Sequence, residues 1–248
     1  MKKYILIVFG LCILLVNSAQ ETKIHQSFEN LSEIEIPKTD GNTIKYDPSI
    51  SEVIAKQYKD LDEEFRNKIF PYEADGCDAK AWIMLKTKIN RSIDKYYYVI
   101  FRTCPSDWDY YFYEELGNMP IDIGDLYARN LIIPGNGSIY TSGHMGNFDV
   151  RRKFELTNNK IVEVQQPYYY VGLKSRTLNT VNIYQTKDCK VLIATLPKDY
   201  EIEILLTEDP FEPSMYLVRT SFGLTGWAKL RAGMYESIDV EGLFYNND

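Results

Sequence analysis

Two of the four cysteines and one of the two histidines are the candidates for nucleophilic chemistry in this chain. Cys77 and Cys104 each border a β-like run, and His144 lies in the turn Ser-Gly-His-Met-Gly. A thiol beside an imidazole is the pairing that cysteine hydrolases use, so His144 with either cysteine is one interpretation. No histidine follows His144 that could orient it. We therefore favour a chain with no catalytic residues.

The same cysteines also suit a disulfide. In an oxidising compartment Cys77 and Cys104 could form a disulfide, which would leave Cys189 unpaired. In the chain-entropy model, closing the loop between them would stabilise the folded state by roughly 3 kcal/mol. The alternative is three reduced, half-buried cysteines. None of the spacings is Cys-x-x-Cys, so we expect neither a zinc site nor any other metal or cofactor.

Carboxylates cluster with aromatic residues further along, in a mixture that glycosidase clefts also contain. The cluster comprises Asp107, Trp108, Asp109, Tyr110, Glu114 and Glu115. Neighbouring residues of a strand point to opposite faces, so Glu114 and Glu115 cannot form a hydrolytic pair together. We interpret the cluster as an acidic strand edge, and no calcium-loop motif accompanies it.

The first nineteen residues predict a secretory signal peptide. Two lysines precede an apolar run over residues 4–16, and small polar residues 17–20 follow. The run is shorter than the roughly 20 residues that span a bilayer. Cleavage after Ala19, or after Ser18, would give a periplasmic or secreted protein with no transmembrane segment. Cys12 lies inside the apolar run and not at its end, so we do not expect a lipoprotein anchor.

The charge balance is acidic. The chain has 28 basic and 35 acidic side chains, a net charge of −7, and loss of Lys2 and Lys3 with the signal brings it to about −9. Nucleic acid is a poor partner for such a chain. The densest basic group, residues 151–153, is flanked by Asp149 and Glu155, so we interpret it as a solvated strand face and not as a phosphate-binding patch.

Behind the signal the pattern predicts a mostly β, α+β protein with one N-terminal helix. Residues 20–47 are polar and predict a loosely packed leader. Ser49 and Glu52 form a capping box, and apolar residues recur every three or four positions, which predicts a helix over 50–68. Residues 48–175 then form one domain, an antiparallel meander or sandwich with the helix against one side. Its predicted strands cover 82–89, 96–102, 108–115, 138–142, 148–156, 161–165 and 168–173.

Runs of three or four consecutive aromatic residues occur in this domain, at 96–98, 110–113 and 168–170. Because neighbours in a strand alternate between faces, each run places rings on both sides of a sheet. Such rings either fill a sandwich core or present a flat stacking platform to sugars or peptides. We favour the core.

From residue 178 the strands become short and evenly spaced. Val181-Asn182-Ile183-Tyr184 alternates, as do 191–196, 200–205 and 215–219. Residues Gly223-Leu224-Thr225-Gly226-Trp227-Ala228 follow the last of these runs. This segment resembles the bacterial SH3 (SH3b) family, whose last strand carries a Gly-x-x-Gly-Trp-Val motif. The resemblance implies a small SH3-like barrel over 176–240 with a tail over 241–248. It covers about a fifth to a quarter of the chain.

One departure from the family is in the first strand, where Tyr184 stands at a position that is often Arg, and the others lie in loops. Residues 185–188 replace the usual Gly-Pro-Ser, and an insertion over 208–214 lengthens a loop that borders the binding edge in SH3-like barrels. The family's specificity for cell-wall peptides therefore does not carry over directly.

The resemblance predicts a non-enzymatic extracytoplasmic binding protein. The expected contacts are the aromatic side chains Tyr184, Tyr216, Phe222 and Trp227, and the expected ligand is peptidoglycan, a peptide or a periplasmic or extracellular protein. Two alternatives stay open. One is a cell-wall hydrolase with a Cys/His site in the N-terminal domain, and the other is an interaction scaffold whose barrel binds no small ligand.

Overall fold

The computed structural model describes residues 28–61, 63–64, 66, 81–104, 107–116 and 120–245, and only the backbone of residues 104, 107 and 108. Within these ranges the chain is β-rich, with nineteen strands and two single turns of 3₁₀ helix, Pro48–Ile50 and Tyr58–Asp60. No helix in the described part of the chain is long and apolar enough to cross a bilayer. The predicted signal peptide lies outside the described residues.

The strands fall into three larger sheets and one short pair. The first half of the chain contains β1 (Ser32–Glu35), β2 (Thr43–Tyr46), β3 (Ser51–Gln57), β4 (Trp82–Thr87), β5 (Tyr97–Cys104), β6 (Asp107–Glu114), β7 (Ile121–Tyr127), β8 (Asn130–Ile133), β9 (Ser138–Met145), β10 (Phe148–Thr157) and β11 (Lys160–Glu163). The second half contains β12 (Tyr169–Arg176), β13 (Val181–Tyr184), β14 (Leu192–Leu196), β15 (Glu201–Thr207), β16 (Tyr216–Thr220), β17 (Thr225–Ala228), β18 (Gly233–Met234) and β19 (Phe244–Tyr245).

The first two sheets form a sandwich. The meander sheet has the order β3-β4-β5-β6-β7 with every pair antiparallel, and the flanking sheet has the order β1-β2-β8-β9-β10-β11 with β2 and β8 parallel. Alternate residues of both sheets enclose one apolar core. Its largest fully buried members include Tyr110, Phe101, Phe112 and Ile44. Tyr97, Tyr110 and Phe112 therefore show that much of the aromatic density is core.

The third sheet, here the C-terminal sheet, has the order β12-β15-β16-β17-β13-β14 and is antiparallel throughout. Its inward face forms a second core, which Phe148 and Val150 of β10 complete. Phe154, on the same face of β10, belongs to the sandwich core instead. Arg152 lies between them with its side chain largely buried, and its Nη2 donates to the carbonyl oxygen of Tyr127 at 3.0 Å. One strand thus contributes to both cores.

The helix predicted over 50–68 is wrong for residues 50–60, which lie in two 3₁₀ turns and the strand between them, whereas residues 63, 64 and 66 are helical. Ser51–Gln57 is a strand that pairs with β4, with a bulge after Val53 where Ala55 takes a positive φ of 47°. The expected cap is present in another form, because Asp47 accepts a hydrogen bond from the Ser49 N–H at 2.9 Å and begins one 3₁₀ turn. Pairing with an otherwise open sheet edge overrides the helical spacing of the apolar residues. Beyond Leu61 the predicted helix lies largely outside the described residues.

The polar leader predicted over 20–47 contains two strands in its described part. Ile36, Ile44 and Tyr46 are buried in the sandwich core, so β1 and β2 are integral to the flanking sheet. The predicted tail also contributes, because Leu243 is fully buried and β19 pairs with β18. The domain boundary predicted at 175/176 falls at the end of β12, which pairs with β15 of the C-terminal sheet.

Most of the other predicted strands are confirmed within a few residues. The predicted strands 148–156 and 161–165 are confirmed as β10 and β11, which form a hairpin, and 181–184 is confirmed as β13. Among the strands that were not predicted are β7, which Gly124 interrupts, and β8, which has only four residues.

Candidate functional site

A row of six apolar side chains crosses the outward face of the C-terminal sheet from edge to edge. Each is the direct cross-strand partner of the next, in the order Tyr170, Leu206, Leu217, Trp227, Tyr184, Leu192. Directly opposed residues share a face, so all six point away from the second core. We call this set the apolar row.

The pleat of the strands explains why the row faces outward. On β16, Tyr216 and Val218 point inward and are fully buried, whereas Leu217 between them points outward. Register shifts after Ile204 on β15 and after Ile183 on β13 bring further members into line. The two ends of the row are the most exposed, with Tyr170 at 52% and Leu192 at 53%.

The structure brings two of the four predicted contacts together. Tyr184 and Trp227 are cross-strand partners in the middle of the row, and both are half-buried. Phe222 is 89% exposed and lies at the tip of the hairpin between β16 and β17, beyond the end of the row's strands. It is therefore not part of the apolar row that contains Tyr184.

Tyr216 belongs to the core and not to the predicted groove. Its side chain is fully buried, and its hydroxyl accepts a hydrogen bond from Nδ2 of Asn147 at 3.4 Å. Burial raises the pKa of Tyr216 to about 12, although the hydrogen bond from Asn147 lowers it in part. A ring in this position cannot reach a ligand on the surface. The alternation over 215–219 was the signal, because it places Tyr216 and Leu217 on opposite faces.

A charged groove of about 730 Å³ lies beside the apolar row on the same sheet. Lys174, Glu203, Arg219 and Thr225 form the neighbouring row of cross-strand partners. Within it, Nε of Arg219 donates to Oε2 of Glu203 at 3.0 Å. The residues that line the groove are Lys174, Ser175, Arg176, Glu201, Ile202, Glu203, Arg219, Thr220, Ser221, Gly223 and Glu241. The outward face is therefore apolar in one band and charged in the next.

A lysine covers part of the apolar row. Nζ of Lys187 lies 4.3 Å from the ring centroid of Trp227 and 5.3 Å from that of Tyr168. The same ammonium forms an ion pair with Oε1 of Glu208. Lys187 and Glu208 lie in the two loops where the chain departs from the SH3b pattern. Sequence periodicity gave no signal for them, because loop positions carry none.

The residues predicted for chemistry are placed as follows. Cys77 and the side chain of Cys104 lie outside the described residues, and with them the predicted disulfide. Nε2 of His144 is 3.2 Å from the carbonyl oxygen of Phe244, and its ring packs against that phenylalanine. His144 lies in β9 and not in a turn as the sequence predicted, and its imidazole joins β9 to β19. Cys189 is a free thiol in the β13–β14 loop.

Among the described residues, no group of three or more histidine, cysteine, aspartate or glutamate side chains is placed to hold a metal ion. No protein-family model matches the chain, and neither a curated protein nor a solved structure matches it significantly.

Proposed function

We propose that this is a non-enzymatic extracytoplasmic binding protein, whose C-terminal sheet is SH3b-like and binds an extended peptide segment across its apolar row. The observation that carries the proposal is the continuity of the row, since six side chains on six strands are aligned without a polar interruption. Contiguous exposed apolar surface that is bordered by polar residues is typical of binding sites.

The dimensions suit a peptide. Adjacent strands lie about 4.8 Å apart, so five intervals extend over about 24 Å. An extended chain rises about 3.3 Å per residue, so about seven residues would cover the row. Half-buried rings such as Trp227 and Tyr184 offer large apolar contact at low entropic cost, which favours them as anchors.

Two further features support an SH3b-like barrel in an extracytoplasmic protein. Five antiparallel strands, β13 to β17, occupy one short segment in which Gly226 is closely packed, because a Cβ there would lie 2.5 Å from Cγ2 of Ile183. The signal-like first nineteen residues support export. The ligand then comes from the cell wall or from an exported protein.

A random heptapeptide phage library, panned against the mature protein, tests the proposal. We expect enriched sequences with alternating apolar residues. Calorimetry with one such synthetic peptide should show that Leu217→Gln weakens binding roughly tenfold or more. Thr225→Gln is the matched control, since Thr225 lies on the same face in the neighbouring charged row.

Equal effects of the two substitutions, or no effect of Leu217→Gln, would refute the assignment of binding to the row. A parallel pull-down with insoluble peptidoglycan separates the two sources of ligand. Retention that depends on Leu217 would indicate a wall peptide, and peptide binding without retention would indicate an exported protein partner.

A further inference from the structure

We propose that Trp227, Tyr168 and Glu208 form a cation site that takes a lysine side chain of the bound peptide, and that Lys187 occupies this site in the free protein. The inference rests on the proposed function, because it names one specificity position of the same apolar row. To the proposed function it adds the chemistry of one ligand side chain, a lysine, and a residue of the protein, Lys187, that competes with it.

The three groups surround one ammonium. Two aromatic faces lie within 5.3 Å of Nζ of Lys187, and a carboxylate pairs with it. Aromatic faces attract cations through the quadrupole of the ring, and a carboxylate adds direct charge. The geometry therefore already binds an alkylammonium, and the one it holds is supplied by the chain itself.

Lys187 can leave without disturbing the fold. It lies in the loop between β13 and β14, which is closed by backbone hydrogen bonds from Gln185 to Val191 at 2.9 Å and from Cys189 to Thr186 at 3.2 Å. Only the side chain of Lys187, which is 33% exposed, must rotate into solvent. Tyr168 is also accessible, at 45% exposure.

The position of the site makes a peptide side chain the occupant. Trp227 belongs to both the cation site and the apolar row, so a peptide that crosses the row passes directly over it. The net charge of −7 favours the approach of a cationic segment. A lysine flanked by apolar residues would place its stem on the row and its ammonium beside Glu208.

Competition by Lys187 has a calculable effect. An exposed cation–π contact together with a surface ion pair favours the occupied site by a factor of roughly 5 to 30. The apparent affinity of a ligand is reduced by the fraction of the protein that is competent to bind it. Removal of the Lys187 ammonium should therefore strengthen binding of the lysine peptide by roughly 5- to 30-fold.

The experiment is calorimetry on the full mature chain with three peptides, two of which have both termini blocked. The first is an acetylated, amidated heptapeptide with lysine at its centre between leucines. The second has norleucine in place of the lysine, and the third is the norleucine peptide with a free N-terminal ammonium. They are titrated into wild type, Lys187→Gln and the control Lys190→Gln. Lys190 lies in the same loop and carries the same charge, but it pairs with Asp188 at 2.9 Å.

We expect Lys187→Gln to bind the lysine peptide more tightly, with little change for the norleucine peptide and no change in Lys190→Gln. In the Lys187→Gln background, Glu208→Gln or Tyr168→Leu should remove the preference for lysine, whereas Glu212→Gln should not. A preference for the third peptide over the second would assign the site to a terminal ammonium instead of a lysine side chain, and would overturn the inference as stated.

The remaining outcomes separate the two proposals. If both blocked peptides bind wild type and Lys187→Gln equally, the apolar row binds peptide but the cation site is refuted. If Lys187→Gln weakens binding, Lys187 is itself a ligand contact and the competitor role is refuted. If no peptide binds any variant, the proposed function fails together with the inference.

Discussion

Replacement of Phe148 by alanine should destabilise the C-terminal sheet although Phe148 lies in the flanking sheet. Its ring is buried in the second core, together with residues of β13, β15 and β16. A buried phenylalanine cut to alanine costs about 3–5 kcal/mol. In a chain of this size that corresponds to a fall in melting temperature of roughly 6–20 °C if unfolding is cooperative.

Phe154→Ala is the matched control, because Phe154 is the same residue type on the same face of β10 but is buried in the sandwich core. Amide hydrogen exchange by mass spectrometry separates the two variants. Phe148→Ala should accelerate exchange chiefly in β15 to β17, and Phe154→Ala chiefly in β4 to β6. Unchanged exchange in β15 to β17 of Phe148→Ala would refute a second core that depends on β10, and would favour an autonomous barrel.

Three further substitutions test the structure. Asp239→Asn should cost about 1.5–3 kcal/mol at pH 7. Burial raises the pKa of Asp239, but hydrogen bonds from Arg231 outweigh burial and bring the pKa below its ordinary value. Wild type therefore loses this contribution as pH falls below about 4 and the variant does not, which urea melts between pH 2 and 7 will show. Tyr216→Phe should cost only about 0.5–1.5 kcal/mol and leave peptide affinity unchanged; weaker binding in a folded variant would return Tyr216 to the site. Gly226→Ala should destabilise by about 1–3 kcal/mol, since its Cβ would meet Ile183 and the carbonyl oxygen of Tyr184; an unchanged melting temperature would refute this close approach.

The sequence predicted strands well wherever alternation and turn residues agreed. The run 181–184 and the hairpin that follows residue 150 are clear cases, because local pattern and final pairing point the same way. It failed at residues 51–57, where helical spacing was visible but the open edge of β4 was not. Sheet pairing between distant segments is a non-local property, and a pattern of single residues does not report it.

Only part of the candidate site could be predicted, because its alignment also depends on pairing between distant segments. Alternation could sort the faces of each strand, but the register that aligns Trp227 with Tyr184 comes from pairing between strands. Tyr216 was predicted as a ligand contact from its residue type, although the pleat of β16 places it on the inward face. Lys187 reaches Trp227 only because two loops meet in space.

The apolar character of the row is not a by-product of core packing. Tyr169 and Tyr170 are adjacent and identical in type, yet Tyr169 is buried in the second core and Tyr170 is among the most exposed aromatic residues described. The pleat alone determines which one fills the core, so the core imposes no demand for a ring at position 170.

One step further along the strands, the same outward face carries Lys174, Glu203 and Arg219, which shows that the sheet tolerates charge there. An exposed apolar band exposes a protein to aggregation, and polar residues in the same positions would remove that hazard without loss to the core. The proposed peptide binding would account for the composition of the apolar row, whereas packing of the second core does not require it.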